Sequence, residues 1–146
     1  MAQQPVRIKY RSLPAEPEPS GDSKLDLKVI FTDLSATAAA LATARSMARG
    51  LGARVTLLVA QVVPYPLPLA DPPVPVEFVE RMLEPFGADN VEIYLCRDRS
   101  ETIRRALPPD SVVIVGARKW RWWPSWERTL TAMLRRDGRR VLVVTV

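Results

Sequence analysis

Two places in the chain carry side chains whose types and spacing could do chemistry. The first is Asp33, a carboxylate that ends an apolar run. The second follows Gly116, where Arg118, Lys119 and Arg121 alternate with aromatic side chains. A carboxylate accepts hydrogen bonds, and cationic side chains pair with phosphate or carboxylate groups. These residues could hold a nucleotide or a partner protein, or could serve only the protein's own core.

Catalysis has little support in the sequence. The chain has no histidine, and Cys96 is its only cysteine. An internal disulfide, a Cys/His zinc site and histidine acid–base chemistry are therefore excluded. The sequence also has no GxxxxGK[ST] phosphate loop, no nucleophile elbow and no aspartate cluster with metal-ligand spacing. We expect a binding protein rather than an enzyme, with no metal, and we expect Cys96 to be a buried strand residue.

Apolar strands that alternate with helices must position these side chains. The predicted strands are Leu25 to Leu34, Arg54 to Val63, Asn90 to Arg97, Ser111 to Gly116 and Arg140 to Val146. The predicted helix caps are Ser35, Ser100 and Ser125, and the predicted stops include Gly50, Gly52 and Asp137-Gly138. This order predicts an α/β fold with a doubly wound parallel sheet of five strands. Ligands bind beyond the carboxyl ends of such strands, which is where Asp33 and Arg118 fall.

The 146 residues are enough for one domain, with a polar segment in front of it. Residues 1–24 include PAEPEPSGDS and are predicted to be a flexible proline-rich tail, and residues 25–146 form the α/β domain. Val6, Ile8 and Tyr10 alternate with charged residues, so an edge strand and a disordered start both stay open. No apolar run is long enough to span a bilayer, and we expect a cytoplasmic protein.

The segment between the second and third strands is rich in proline. PYPLPLADPPVPV, residues 64–76, holds six prolines and cannot be regular structure. It is either a stiff connector or a lid that covers the sheet edge. Val76, Val79, Met82 and Leu83 then form a helical stripe.

Several weak motifs in a fixed order resemble the universal stress protein family. They are KVIFTDLS, RVTLLVAQVV, SETIRRAL before SVVIVGARK, and RRVLVVTV, and together they cover about Leu25 to Val146. The resemblance implies a Rossmann-like, adenine-nucleotide-binding fold, of the adenine nucleotide alpha hydrolase type, with strand order 3-2-1-4-5. It also implies a nucleotide site between the ends of the first and fourth strands, with Asp33 on the adenine or ribose side.

The phosphate-binding part of that family pattern is degenerate in this chain. Nucleotide-binding members have Gly-x2-Gly-x9-Gly-Ser/Thr after the fourth strand. Gly116 matches the first glycine, but Lys119 stands at the second position and Glu127-Arg128 near the last. Glycines let backbone N–H groups reach phosphate oxygens, so we expect no standard ATP phosphate loop. The alternative is an ATP-binding protein that uses Asp33 with Arg118, Lys119 and Arg121.

The chain's four tryptophans lie close together in the sequence. Trp126 shares a helical stripe with Leu130, Met133 and Leu134 and is assigned to the core. Trp120, Trp122 and Trp123 either fill the vacated nucleotide cleft, cover a subunit contact or meet a protein partner.

The basic charge of residues 112–146 and the last strand indicate which partners could bind the protein. Residues 112–146 carry eight Lys/Arg against two acids, out of a net charge of +5 for the chain. An adaptor for nucleic acid or an anionic membrane surface would rest on this asymmetry alone, and we do not expect one. The terminal strand, with Val141, Val143 and Thr145, is predicted to lie at a sheet edge and to form a homodimer, as the resemblance also implies. The leading hypothesis is a stress-related regulatory binding domain.

Overall fold

In the computed structural model, the described residues form a six-stranded sheet with helices on its two faces. The structure describes residues 25–63, 65, 81, 87–118 and 125–146, and the backbone of residues 6–11. Along the chain the elements are β1 (Val6–Arg11), β2 (Asp26–Ile30), α1 (Leu34–Leu51), β3 (Arg54–Val62), β4 (Asn90–Cys96), α2 (Arg99–Ala106), β5 (Val112–Ala117), α3 (Trp126–Arg136) and β6 (Arg140–Thr145).

The parallel part of the sheet confirms the predicted topology. The strand order is β1-β4-β3-β2-β5-β6, and β4-β3-β2-β5-β6 is the 3-2-1-4-5 order of a doubly wound fold. β1 adds a sixth strand that runs antiparallel to β4, with Val6 opposite Leu95 and Arg11 opposite Asn90. The sequence left open whether this stretch forms an edge strand or is disordered, and in the structure it forms an edge strand. The carboxyl ends of β2 and β5 lie side by side at the point where the strand order reverses.

The central strands are apolar on both faces because helices cover both. Leu27 and Val29 of β2 pack with Ala40 and Ala44 of α1 in one cluster. Small residues on this face of α1 let the helix lie close to the sheet. On the opposite face, the second cluster joins β2, β3 and β5 to α2 and α3 through Ile30, Leu58, Val113, Val115, Ile103, Leu130 and Leu134.

Two of the three predicted helix caps are wrong by two residues. α1 is capped by Asp33 rather than Ser35, since the Asp33 side chain accepts from the backbone N–H of Ala36. α2 is capped by Asp98 rather than Ser100. In both cases an aspartate precedes the serine, and its carboxylate reaches the third N–H of the helix. Ser125 caps α3 as predicted.

A small polar cluster lies at the amino end of the sheet, between β2 and β3. Lys28 is buried and its Nζ lies 3.0 Å from Asp26 Oδ2. Thr56 Oγ1 donates to Asp26 Oδ1 over 2.8 Å. The buried ammonium group therefore has its counter-ion on the same strand, and that counter-ion is held by the neighbouring strand.

Some sequence predictions fall outside the described residues. These are the tail apart from residues 6–11, the proline-rich segment 64–76 apart from Tyr65, and the helical stripe that starts at Val76, apart from Arg81.

Candidate functional site

Asp33 and Arg118 face each other across the crevice between the carboxyl ends of β2 and β5. Asp33 Oδ1 accepts the Ala36 N–H at 2.9 Å, and Asp33 Oδ2 accepts Arg118 Nε at 3.3 Å. Both oxygens of the carboxylate therefore have protein partners. Arg118 directly follows β5 and its side chain is more than half exposed, so the ion pair lies at the surface of the crevice.

Gly116 allows α1 and β5 to approach each other at the same crevice. A Cβ atom built on Gly116 would lie 2.1 Å from the carbonyl oxygen of Ala36, in the first turn of α1. Thr32 Oγ1 donates to the Gly116 carbonyl over 3.0 Å, and the Thr32 N–H donates to Thr37 Oγ1 over 3.0 Å. The glycine that the family pattern assigns to phosphate binding thus has a packing role in this chain.

The structure brings three of the predicted site residues together, namely Asp33, Gly116 and Arg118. Two further basic residues and three tryptophans of the same predicted site lie outside the described residues. They are Lys119, Arg121, Trp120, Trp122 and Trp123.

A groove between α3 and β6 was not predicted from the sequence. Its volume is about 350 Å³, and it begins beside Arg118 and runs along α3. The helix contributes Arg128, Thr131, Ala132 and Arg135, and the sheet contributes Val143 and Thr145. Among the described residues that line it, three are arginines and one, Glu127, is acidic, so this part of the groove is cationic. The spacing of 128, 131, 132 and 135 places these residues on one helical face. This periodicity is the feature of the sequence from which the helix side of the groove could have been predicted.

The edge of the sheet beside this groove is formed by β6. Among the described strands, β6 pairs only with β5. Leu142 is 41% exposed and Val146 is 50% exposed. Arg135 donates to the Val141 carbonyl over 3.0 Å, so α3 also contacts this strand by a polar side chain. The homodimer through Val141, Val143 and Thr145 stays a prediction.

Trp126 begins α3 and joins the core that it was assigned to. Its ring packs against the cluster on the α2–α3 face, and its Nε1 donates to Ser100 Oγ over 3.0 Å. The guanidinium group of Arg99 lies 3.6 Å from the ring centroid. Ser100, which was expected to cap a helix, instead fixes the orientation of this tryptophan.

Cys96 is the buried strand residue that was predicted. Its Sγ lies 3.5 Å from the Gln61 carbonyl oxygen, and burial raises the pKa of the thiol above its ordinary value. A raised pKa reduces the thiolate population that redox and nucleophilic chemistry require.

The described part of the chain shows no group of three or more His, Cys, Asp or Glu residues that could hold a metal ion. In the same residues, no helix combines the length and the apolar character that a membrane crossing needs. No protein-family model matches the chain, and a search of curated proteins finds no match.

Proposed function

We propose that this protein is a non-catalytic binding domain of the universal-stress-protein type, in which the chain's own contacts occupy the nucleotide crevice. The fold and strand order support the type of domain. The stress-related, regulatory role follows from the motif resemblance described above. In this proposal, recognition is carried by surfaces next to the crevice rather than by a bound nucleotide.

The ion pair between Asp33 and Arg118 is the observation that carries the proposal. A ligand that used the Asp33 carboxylate would have to compete with both the Ala36 N–H and the Arg118 guanidinium group. A ligand that approached the Gly116 backbone would meet the first turn of α1. Neither residue therefore fits the role that the family pattern gives it, and no glycine stands at the later positions of that pattern.

Calorimetric titration of the nucleotide-free protein with ATP and Mg²⁺ tests this proposal. We expect no binding heat at millimolar ATP. Asp33→Asn separates the two roles of Asp33, because asparagine also caps helices but lacks the charge that holds Arg118. Asp33→Ala, which removes both the cap and the ion pair, is the matched comparison.

A second candidate is an ATP-binding protein that uses basic side chains in place of the glycine cradle. The observation in its favour is that Arg118 lies beside Asp33 with an exposed guanidinium group, and arginine binds phosphate well. Micromolar ATP affinity in the wild type that is lost in Arg118→Gln would establish this candidate and overturn the first.

A further inference from the structure

We propose that the edge of β6 and the groove beside it bind an extended acidic segment of a partner protein, which adds to the sheet as a strand. The proposal concerns a surface outside the crevice and does not depend on whether a nucleotide binds there.

The main-chain groups of alternate β6 residues point away from the sheet. The Val146 N–H donates to the Ala117 carbonyl of β5 over 3.0 Å, so the even-numbered residues of β6 face β5. Successive residues of a strand direct their N–H and C=O groups to opposite sides, and 141, 143 and 145 therefore face outward. The Val141 carbonyl accepts from Arg135. Val143 and Thr145 are left as the positions at which an added strand would pair.

The side chains of the same two residues line the cationic groove, so a strand paired there would lie against α3. Arg128 and Arg135 are seven residues apart, about 10 Å along the helix axis. Side chains on one face of an extended chain recur every two residues, about 7 Å apart. Acidic side chains on one face of the added strand would then lie within reach of Arg128 and Arg135.

The charge of the groove decides between an acidic partner and a second copy of this chain. Antiparallel pairing of two β6 strands would bring together two grooves whose described lining residues include three arginines and one glutamate each. Like charges placed together at an interface oppose association. An acidic strand neutralises the same arginines, and the exposed Leu142 and Val146, on the opposite face of β6, offer apolar area to the other face of the added strand.

Fluorescence anisotropy with a labelled peptide tests the proposal on the full chain. The probe is the fluorescein-labelled peptide Glu-Val-Glu-Val-Glu-Val-Glu, and its comparison has lysine in place of each glutamate. We expect the acidic peptide to bind and the basic peptide not to bind. Binding should weaken as NaCl rises to about 0.5 M, because salt screens the charge pairs.

Three variants distinguish the contribution of the groove arginines from that of the β6 main chain. Arg128→Gln should weaken binding about three- to tenfold, whereas Arg136→Gln, the same change on α3 outside the groove, should leave it unchanged. Val143→Pro removes the outward N–H at an edge position where proline is tolerated, and it should abolish binding while circular dichroism stays unchanged.

Three results would overturn the inference. Equal binding of both peptides, or equal effects of Arg128→Gln and Arg136→Gln, would show that the groove does not recognise acidic side chains. A wild-type dimer that ignores the acidic peptide and that Val143→Pro converts to monomer by light scattering would assign β6 to a second copy.

Discussion

Replacement of Gly116 by alanine gives a sharp test of the packing at the crevice. The added methyl group would lie 2.1 Å from the Ala36 carbonyl oxygen, whereas real Cβ contacts essentially never fall under 3.0 Å. The first turn of α1 would have to move by the difference, about 0.9 Å, because the Ala36 carbonyl is part of the helix backbone and cannot rotate away. Such overpacking costs about 1–3 kcal/mol.

We therefore expect Gly116→Ala to lower the free energy of unfolding by about 1–3 kcal/mol. In urea denaturation followed by circular dichroism, the midpoint should fall by about 0.5–1.5 M for an m-value of about 2 kcal/mol/M. Gly50→Ala is the matched control, because nothing lies within 4 Å of its added Cβ and the residue is in α1. It should raise stability by up to about 1 kcal/mol. A Gly116→Ala protein within about 0.5 kcal/mol of wild type would refute the packing argument.

Three further outcomes are expected. Asp33→Ala should destabilise the protein by about 1 kcal/mol in urea denaturation through loss of the helix cap, and Asp33→Asn by less; equal losses would show that the ion pair rather than the cap matters. Trp126→Phe should cost about 1–2 kcal/mol, because phenylalanine cannot donate to Ser100, and an unchanged melting curve would contradict this. Cys96 should react with a disulfide reagent much more slowly than free cysteine, and faster as the pH rises, because burial raises the thiol pKa; a rate equal to that of free cysteine at neutral pH would show that the thiol is accessible.

The sheet could be predicted because its determinants are local and repeated. Apolar runs of strand length alternate with helices, and glycines that adopt a positive φ mark where helices end. Gly52 has a φ of 63° and ends α1, and Gly138 has a φ of 88° just before β6. Trp126 could be assigned to the core because its spacing from Leu130 and Leu134 is a property of the helix itself.

The contacts at the crevice and the groove could not be predicted, because they join residues that are distant in the sequence. Gly116 matches a phosphate-binding pattern in the sequence, and only the position of the Ala36 carbonyl shows its packing role. The ion pair of Asp33 and Arg118 spans 85 residues. The groove depends on how α3 lies over β6, and helix periodicity alone does not fix that position.

The buried Lys28 at the amino end of the sheet bears on how the chain selects its strand alignment. Parallel strands that are apolar on both faces carry little information about alignment, since a shift of two residues replaces one apolar side chain with another. The contact between Asp26 and Thr56 breaks this degeneracy, because only the observed alignment places Asp26, the counter-ion of Lys28, against the Thr56 hydroxyl of β3. A shift of β2 along β3 would separate that carboxylate from the threonine hydroxyl. The cluster therefore gives a largely apolar sheet one preferred alignment, at the cost of burying a charge.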